Sequence, residues 1–594
     1  MIRYAIDASS TPSHRFAVEL VVPRPAAAQR LSLPVWIPGS YLVREFARHL
    51  HGLEAEQAGR SVRLEQIDKA SWVAHCEGAG DLVLRYRVYA FDLSVRAAFL
   101  DADRGFFNGT GVCLRVEGRD HEPHGLAIAG LPAGWEVATT LPPRPGGSAL
   151  EFAAADYDEL VDHPVELGRF WRGRFSAAGV PHELVVAGAL PDFDGDALLA
   201  DTRRLCEAGI AFWHGGAGPA PFDRYLFLLN AVDEGRGGLE HRASTALVVA
   251  RRDLPRRPAA GAAAPAAVGI AAKVEVGEGY VSVLGLIAHE YFHAWNVKRL
   301  KPREFARLDY ARENYSELLW FFEGFTSYYD DLLVLRSGLI DAARYLQLLG
   351  RTISAVAATP GRELQSVAAA SFDAWVKYYR GDENTPNATV SYYAKGALVA
   401  LAFDLTLRSE GAGSLDQVMR RLWSESGGGP IGEADIAAAL EAVGGRSFGA
   451  ELADWVHGTG ELPLDTLLAR LGVAVDRQPA TLAQRLGIRV NESALTGVKV
   501  SHVLRGGAGE RIGLSAGDEL IGAGGWRLRR LDDALRFAAG PGELPLLVGR
   551  DQRLLTLAFD PAWLAGSEAG ALQLRRAEGA GAPAQALGEA WLSG

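Results

Sequence analysis

Residues 281–297 read VSVLGLIAHEYFHAWNV and predict a buried helix that carries two histidines. Their apolar residues recur with the period of about 3.6 that is typical of a helix. His289 and His293 lie four residues apart, so a helix places both imidazoles on one face, where they can share a metal ion. This H-E-x-x-H spacing indicates a metal site, with Glu290 directly after the first histidine.

A second predicted helix supplies a carboxylate. In the stretch YSELLWFFEGFTSYYDDL, Glu323 is the only ionisable residue between Leu318 and Ser327. Burying an ionised group costs several kcal/mol unless the group is paired or bound to a metal. Two histidines and one carboxylate are an established ligand set for catalytic zinc. We therefore predict Glu323 as the third ligand. The alternative is that it lies on a solvent-facing stripe or pairs with an arginine.

Three protein ligands leave a fourth position on the metal for water. Zinc lowers the pKa of such a water toward about 7 and so makes a nucleophile available at neutral pH. Glu290 would accept the proton of this water and later deliver it to a leaving amine. The ligand types favour one zinc ion per chain over other divalent ions. Hydrolysis of a peptide bond is the predicted chemistry, with a plain surface charge as the alternative role of Glu290.

Composition excludes several classes of protein. The chain of 594 residues has a net charge of −11 and contains no long run of lysine and arginine, so nucleic-acid binding is not expected. Its three cysteines are too far apart for a disulfide framework or a metal knuckle. No apolar stretch approaches the ~20 residues of a membrane span, and no signal peptide is visible. We expect a cytoplasmic protein without a membrane span, with a periplasmic protein whose leader has been trimmed as the alternative.

The pattern of apolar residues predicts an α+β fold with several domains. Short alternating segments in residues 1–187 indicate an N-terminal β-rich domain. Residues 188–464 show mainly helical periodicity, and alternation returns in residues 465–562. Residues 563–594 lack a periodic apolar face and are expected to form a loosely held C-terminal tail.

Motifs over most of the first 410 residues resemble those of the glycyl aminopeptidase family of zinc peptidases. The resemblance implies an N-terminal β-sheet domain, a thermolysin-like and mainly helical catalytic domain, and a C-terminal PDZ-like domain. It also implies an aminopeptidase that acts on peptides with free amino termini and prefers glycine and alanine at the first position. The motifs are WIPGSYLVREFARH (36–49), GGLEH (237–241), HEYFHAWNVKRLKP (289–302), WFFEGFTSYY (320–329) and SYYAKGALVALAFDLTLR (391–408).

The same resemblance implies roles for residues outside the metal site. Tyr393 matches the tyrosine of a Tyr-x-Lys-Gly segment that hydrogen-bonds the oxyanion in related aminopeptidases, with the neighbouring Tyr392 as the competing candidate. Glu240 matches a glutamate that binds the free amino terminus of the substrate. The preceding Gly237 and Gly238 would pair their backbone with the extended peptide. Core packing for the tyrosines and a turn-stabilising role for Glu240 are the alternatives.

The segment at residues 497–528 resembles part of a PDZ domain, and Leu486-Gly487-Ile488 resembles the loop that binds a peptide carboxylate. Capture of a peptide C-terminus is the functional interpretation, and buttressing of the catalytic domain is the structural one. Two alternatives to an aminopeptidase remain at this stage. They are a zinc endopeptidase and a PDZ-bearing peptide-binding scaffold with a degenerate peptidase domain.

Overall fold

The chain folds into two compact units in a computed structural model that describes residues 1–215, 219–258, 277–493, 495–538, 542–565 and 569–594. The first unit comprises Met1–Tyr315, Arg336–Ile340 and Trp423–Ile431. The second comprises Ser316–Leu335, Asp341–Leu422 and Gly432–Gly594. Sheets dominate the amino-terminal part, helices the middle and a small sheet the carboxy-terminal part. This confirms the predicted α+β multidomain fold class.

The amino-terminal part of the first unit is a β-domain with a one-sided alternation of buried residues. Along β1, Ile2, Tyr4 and Ile6 are buried while their neighbours are more exposed, as expected for strands with one face in a core. Seven strands form a sheet in the order β14-β12-β1-β2-β8-β4-β5, and two four-stranded sheets have the orders β13-β15-β10-β9 and β11-β3-β7-β6. The strands are β1 (Ile2–Ser10), β2 (Arg15–Val22), β3 (Ala28–Ser32), β4 (Leu50–Gln57), β5 (Arg60–Ser61), β6 (Arg63–Asp68), β7 (Ser71–His75), β8 (Leu82–Tyr89), β9 (Ala98–Leu100), β10 (Arg104–Phe107), β11 (Arg115–Val116), β12 (His124–Ala129), β13 (Glu136–Ala138), β14 (Glu151–Ala154) and β15 (Val165–Gly168), with helices α1 (Gly109–Val112) and α2 (Tyr157–Val161).

A five-stranded sheet in the same unit leads to the H-E-x-x-H helix. Its order is β16-β17-β18-β20-β19, with β17, β18 and β20 parallel and the two outer strands antiparallel to their neighbours. The central strand β18 is buried along nearly its whole length, because both faces of the sheet are covered. The end strand β19 lies beside α4, which contains His289. The elements are β16 (Trp171–Ala177), β17 (Val180–Ala187), β18 (Tyr225–Val232), β19 (Arg236–Glu240), β20 (Ser244–Ala250), α3 (Gly195–His214) and α4 (Glu278–Phe292).

The second unit is built around the helix α10, in which every residue from Lys395 to Arg408 is buried. Helices that are apolar all round are typical of the centre of a large helical domain. No helix within the described ranges is both long and apolar enough to cross a membrane. The helices are α5 (Leu319–Phe322), α6 (Gly324–Arg336), α7 (Ala342–Ala357), α8 (Val367–Phe372), α9 (Thr385–Ala388), α10 (Ala394–Ser409), α11 (Leu415–Ser426), α12 (Glu433–Gly444), α13 (Gly449–Glu451) and α14 (Leu464–Arg470).

The same unit contains a small antiparallel β-module with its own hydrophobic core. Its strands follow the order β22-β23-β24-β26-β27, with β25 pairing with β24, so β22 lies at one edge. Gly487 takes a left-handed conformation at the end of α15 and leads into β22. The elements are α15 (Leu482–Leu486), β22 (Ile488–Ser493), β23 (Gly497–Val503), α16 (Ala508–Ile512), β24 (Glu519–Ala523), β25 (Trp526–Arg527), β26 (Leu544–Arg550) and β27 (Arg553–Phe559).

The carboxy terminus differs from the loosely held tail predicted for residues 563–594, and for the described part of that segment the prediction is wrong. It contains a strand, β28 (Ala569–Arg576), which pairs with β21 (Val473–Pro479), and a helix, α17 (Ala582–Ser593). Trp591 on α17 is fully buried and donates a hydrogen bond from Nε1 to the Tyr328 hydroxyl at 2.9 Å. Arg408 donates to the Ala590 carbonyl at 2.9 Å. The few apolar residues of this segment are buried by partners far away in the sequence, which a local pattern does not reveal.

Replacing Trp591 by alanine should lower the stability of the second unit by about 3–5 kcal/mol, because it removes a fully buried indole and leaves a cavity. Thermal unfolding followed by circular dichroism measures the change. Gln585→Ala, at an exposed position of the same helix, should change stability by less than about 0.5 kcal/mol. Equal melting temperatures for Trp591→Ala and the unmodified chain would mean that α17 is not part of the folded core.

Candidate metal and peptide-binding site

The two histidines of the H-E-x-x-H motif converge through their Nε2 atoms. His289 lies in the last turn of α4, and His293 is the residue that follows the helix. The Nε2 atoms are 3.1 Å apart. The Nδ1 of His293 lies 2.6 Å from the carbonyl oxygen of Asn296, and donation to that oxygen fixes the tautomer in which Nε2 carries the free lone pair. Both rings therefore present a nitrogen to the same point.

This donor set fits zinc. Two nitrogen ligands of a tetrahedral site with Zn–N bonds of about 2.05 Å lie about 3.3 Å apart, close to the separation of the histidine nitrogens. The ligand atoms of His289, His293 and Glu323 all lie within 4.8 Å of one another. His293 and Glu323 are buried, and His289 is partly exposed. The structure thus brings together the three residues that the sequence suggested as ligands.

Glu290 is held against the backbone of β19. Its side chain is 5% exposed, and its carboxylate occupies the space where a side chain at Gly238 would begin. A Cβ atom at residue 238 would lie 2.0 Å from Glu290 Oε1, which is far shorter than any non-bonded contact. The glycine is therefore required for the close approach of strand and carboxylate. At the neighbouring Gly237, a Cβ would meet only Arg96 Nη1 at 3.6 Å.

Glu240 ends the same strand and is 4% exposed. Its Oε1 atom has no hydrogen-bond partner in the described part of the chain. Above it lies a turn of the amino-terminal β-domain: Gly39, with φ of +90°, has no room for a Cβ, which would lie 2.5 Å from both Glu240 carboxylate oxygens. The Trp36 indole donates to the Asp309 carbonyl at 2.8 Å and so helps to fix this turn. Sequence reasoning gave Gly39 no role, although the Pro-Gly pair of WIPGS was a signal for a tight turn.

A cavity of about 850 Å³ lies beside Glu240 and Gly39 and gives the carboxylate an open side. Asp162, which also lines this cavity, forms an ion pair with Lys298 at 2.7 Å. Its Oδ1 atom lies 3.4 Å from His241 Nδ1. Burial opposes ionisation of Asp162, but Lys298 and His241 outweigh it and hold the pKa of that carboxyl well below its usual range. His241 is thereby held in place directly after Glu240.

Glu323 and Tyr393 are neighbours in the second unit because two glycines let their helices touch. Glu323 is 2% exposed and sits between α5 and α6. A Cβ at Gly324 would lie 2.5 Å from the Cα of Gly396, and a Cβ at Gly396 would lie 2.6 Å from the Trp320 carbonyl. Both motif glycines are thus required for the close packing of these helices.

Tyr393 precedes α10 and is half-buried. Its hydroxyl lies 3.2 Å from the Tyr379 hydroxyl, and its ring stacks on Tyr378. Burial raises the pKa of the Tyr393 hydroxyl well above its usual value, and the Glu323 carboxylate adds to the shift. The phenol therefore stays protonated and able to donate at neutral pH. The competing Tyr392 is fully buried, which favours Tyr393 as the tyrosine open to a substrate.

Two histidines of an H-E-x-x-H helix that converge with a glutamate from another helix pair are typical of zinc metallopeptidases. The fold and the site therefore define this class. Family profiles match three parts of the chain: the peptidase M61 N-terminal domain at residues 3–169, the M61 glycyl aminopeptidase at residues 282–399, and the PDZ domain at residues 475–549. The solved structure of an aminopeptidase N family protein from Idiomarina loihiensis is 35% identical, with full coverage of both chains and a TM-score of 0.87. The chain belongs to the M61 glycyl aminopeptidase family.

Other comparisons are more distant. An M1 zinc metallopeptidase from Deinococcus radiodurans is 15% identical over 78% of this chain and 94% of its own, with a TM-score of 0.45. No curated protein matches the chain. The family, the presence of a PDZ domain and the class of zinc aminopeptidase predicted from the sequence are confirmed. An enzyme is therefore favoured over a scaffold with a degenerate peptidase domain.

Gly238→Ala should lower kcat/KM by about 100-fold, because the new methyl group must displace the Glu290 carboxylate, and a shift of about 1 Å in a catalytic group costs that much. Steady-state hydrolysis of alanine p-nitroanilide measures it. Gly125→Ala is the matched control: it also lies in a strand, but its Cβ would meet only the side chains of Met1 and Arg3, at ordinary contact distances of 3.5 Å and more. Full activity of Gly238→Ala would show that Glu290 does not have to stay against β19.

Proposed function

We propose that the protein is an exopeptidase that hydrolyses the first peptide bond of peptides, with one zinc ion per chain held by His289, His293 and Glu323. The observation that carries this proposal is the arrangement on β19. Gly238 touches the Glu290 carboxylate, and two residues later Glu240 offers a second carboxylate on the same face of the strand. A base and a site for an ammonium group thus lie along one strand, in register with an extended peptide.

When bound, the zinc ion supplies an activated water and polarises the scissile carbonyl. Glu290 acts as the general base that takes a proton from that water and returns it to the leaving amine. Its restraint between α4 and the backbone of β19 supports this role, since a positioned base needs little reorganisation. An extended peptide would lie along β19 by backbone pairing with Gly237 and Gly238, as in other cases of strand addition.

Glu240 fixes the amino terminus of the substrate. A buried carboxylate oxygen without a partner is unfavourable by several kcal/mol, and an ammonium group that enters from the cavity would pair with it. Binding of that ammonium sets the scissile bond one residue away, which makes the enzyme an aminopeptidase rather than an endopeptidase. The family description, M61 glycyl aminopeptidase, supports a preference for glycine at the first position, and alanine has the next smallest side chain.

Tyr393 donates a hydrogen bond to the oxyanion that develops at the attacked carbonyl. Its half-buried hydroxyl, its neighbour Tyr379 and its position next to Glu323 support this role. The raised pKa keeps the proton on the phenol, which an oxyanion donor requires.

The PDZ domain binds the C-terminal end of peptides at Leu486-Gly487-Ile488. Two features support this: β22 is an edge strand of its sheet, and the Gly487 turn leads directly into it. The buttressing interpretation has support as well. Asn387 of the catalytic part donates to the Val503 carbonyl and accepts from the Arg505 amide, both at 2.9 Å. The domain is thus anchored by one turn while its edge strand stays free of a strand partner in the described sheet.

Glu290→Gln should lower kcat by about 10³-fold or more, and Tyr393→Phe by about 10²-fold, because one removes the base and the other an oxyanion donor. Both variants should retain one zinc per chain, measured by metal analysis beside the kinetics. Tyr392→Phe is the control and should stay close to the unmodified enzyme. Substantial turnover by Glu290→Gln would contradict the base assignment. Equal losses in the two tyrosine variants would contradict the choice of Tyr393.

Glu240→Ala should lower kcat/KM for glycine and alanine p-nitroanilides by about 10- to 100-fold, mainly through KM, because it removes a charged partner of the substrate ammonium. N-acetylated versions of the same substrates should not be cleaved by any variant. Glu234→Ala, an exposed acid in the loop before β19, is the control. Internal cleavage of acetylated peptides would indicate an endopeptidase. Faster cleavage of leucine p-nitroanilide would contradict the preference for small residues.

A further inference from the structure

An exposed apolar surface lies in the second unit between residues 364 and 378. It consists of Leu364, Phe372, Val376 and Tyr378, which are 57%, 44%, 59% and 37% exposed. Single exposed apolar residues are common and need no explanation. A group of them in one place marks a binding surface for a protein, peptide or ligand.

A polar cluster holds the segments that carry these residues close to one another. The Asp373 Oδ2 atom accepts hydrogen bonds from Gln365 Nε2 at 3.0 Å and from Lys377 Nζ at 2.6 Å. Each of these three polar residues directly follows an exposed apolar residue in the sequence. The pairs are Leu364 and Gln365, Phe372 and Asp373, and Val376 and Lys377. The hydrogen bonds therefore bring together, around Asp373, the chain segments that carry the three apolar residues.

The apolar surface is continuous with the tyrosine cluster described above. Tyr378 follows Lys377 in the chain, and its ring centroid lies 5.4 Å from that of Tyr393. Burial raises the pKa of the Tyr378 hydroxyl, and the Glu323 carboxylate also raises it. One end of the surface thus reaches the residues next to the candidate metal ligand.

The surface is rigidly supported, so it exists before a ligand binds. Within the same segments Trp375 is buried, and the Val390 amide donates to Gln365 Oε1 at 3.3 Å. On the side of the PDZ domain, Arg505 Nη2 lies 3.6 Å from Glu363 Oε2. A preformed apolar surface loses little conformational entropy on binding.

We propose that this apolar surface binds apolar side chains of the peptide substrate on the carboxyl side of the scissile bond. The proposal rests on the proposed function, because it takes Tyr393 to mark the scissile carbonyl. An extended chain that leaves this tyrosine meets Tyr378 first and then the side chains gathered around Asp373. The enzyme therefore selects peptides by residues beyond the first, and favours unfolded segments rich in apolar residues.

The test compares peptides that differ at one position. The reference is Ala-Ser-Ser-Ser-Ser-amide, and in each of four further peptides a single serine, from the second to the fifth position, is replaced by leucine. Release of alanine gives kcat/KM for the zinc-loaded full chain. At one or more positions leucine should raise kcat/KM about tenfold, the effect of burying one apolar side chain partly. Val376→Ser and Leu364→Ser should each reduce this gain to about twofold.

Leu554→Ser is the matched control, since Leu554 is 67% exposed on β27, outside the apolar surface, and this variant should keep the full gain. Equal rates for the serine and leucine peptides would overturn the proposal, as would a gain that persists in both surface variants. Alanine p-nitroanilide has no residue beyond the first, so its cleavage tests the proposed function separately from the assignment of the apolar surface. If the enzyme cleaves it but shows no leucine gain, only the surface assignment fails. If it is not cleaved, the proposed function fails with it.

Discussion

The cost of burying carboxylates constrains this structure more than any other interaction. Glu240, Glu290 and Glu323 are all nearly excluded from solvent, and an isolated buried carboxylate is unfavourable by several kcal/mol. Under the proposed function, each of them meets a positive charge or a proton during the reaction. In that proposal Glu323 would bind the zinc ion, Glu240 would bind the substrate ammonium, and Glu290 would take up the proton of the attacking water.

Glycines set the distances on which the proposed chemistry depends. Gly39 and Gly238 leave room for the carboxylates of Glu240 and Glu290, and Gly324 and Gly396 let two helices touch beside Glu323. In each case a single methyl group would collide with the functional residue or its support. The glycines of the sequence motifs are thus explained by close approach rather than by flexibility, which only the tertiary contacts reveal.

The apolar surface around Asp373 and the edge strand of the PDZ domain have one property in common. Both can bind a chain in extended conformation, and neither suits a compact folded partner. The PDZ turn contacts the same part of the second unit through Asn387 and Arg505. Under the proposals made above, the two features would bind the same substrate, an unfolded peptide rich in apolar residues that is hydrolysed at its amino terminus.

The sequence by itself determined the H-E-x-x-H helix, the lone Glu323, the order of β-rich and helical regions and the PDZ-like module, because helical spacing and apolar alternation are local properties. It did not reveal that Gly39 leaves room for Glu240 or that Gly238 leaves room for Glu290, since these residues meet only in the folded chain. It was wrong about the tail, because Trp591 finds its partners Tyr328 and Arg408 in distant helices. Tertiary structure decided these points because the burial of a side chain depends on residues that are distant in the sequence. The apolar periodicity of a segment depends only on the residues next to each other in the chain.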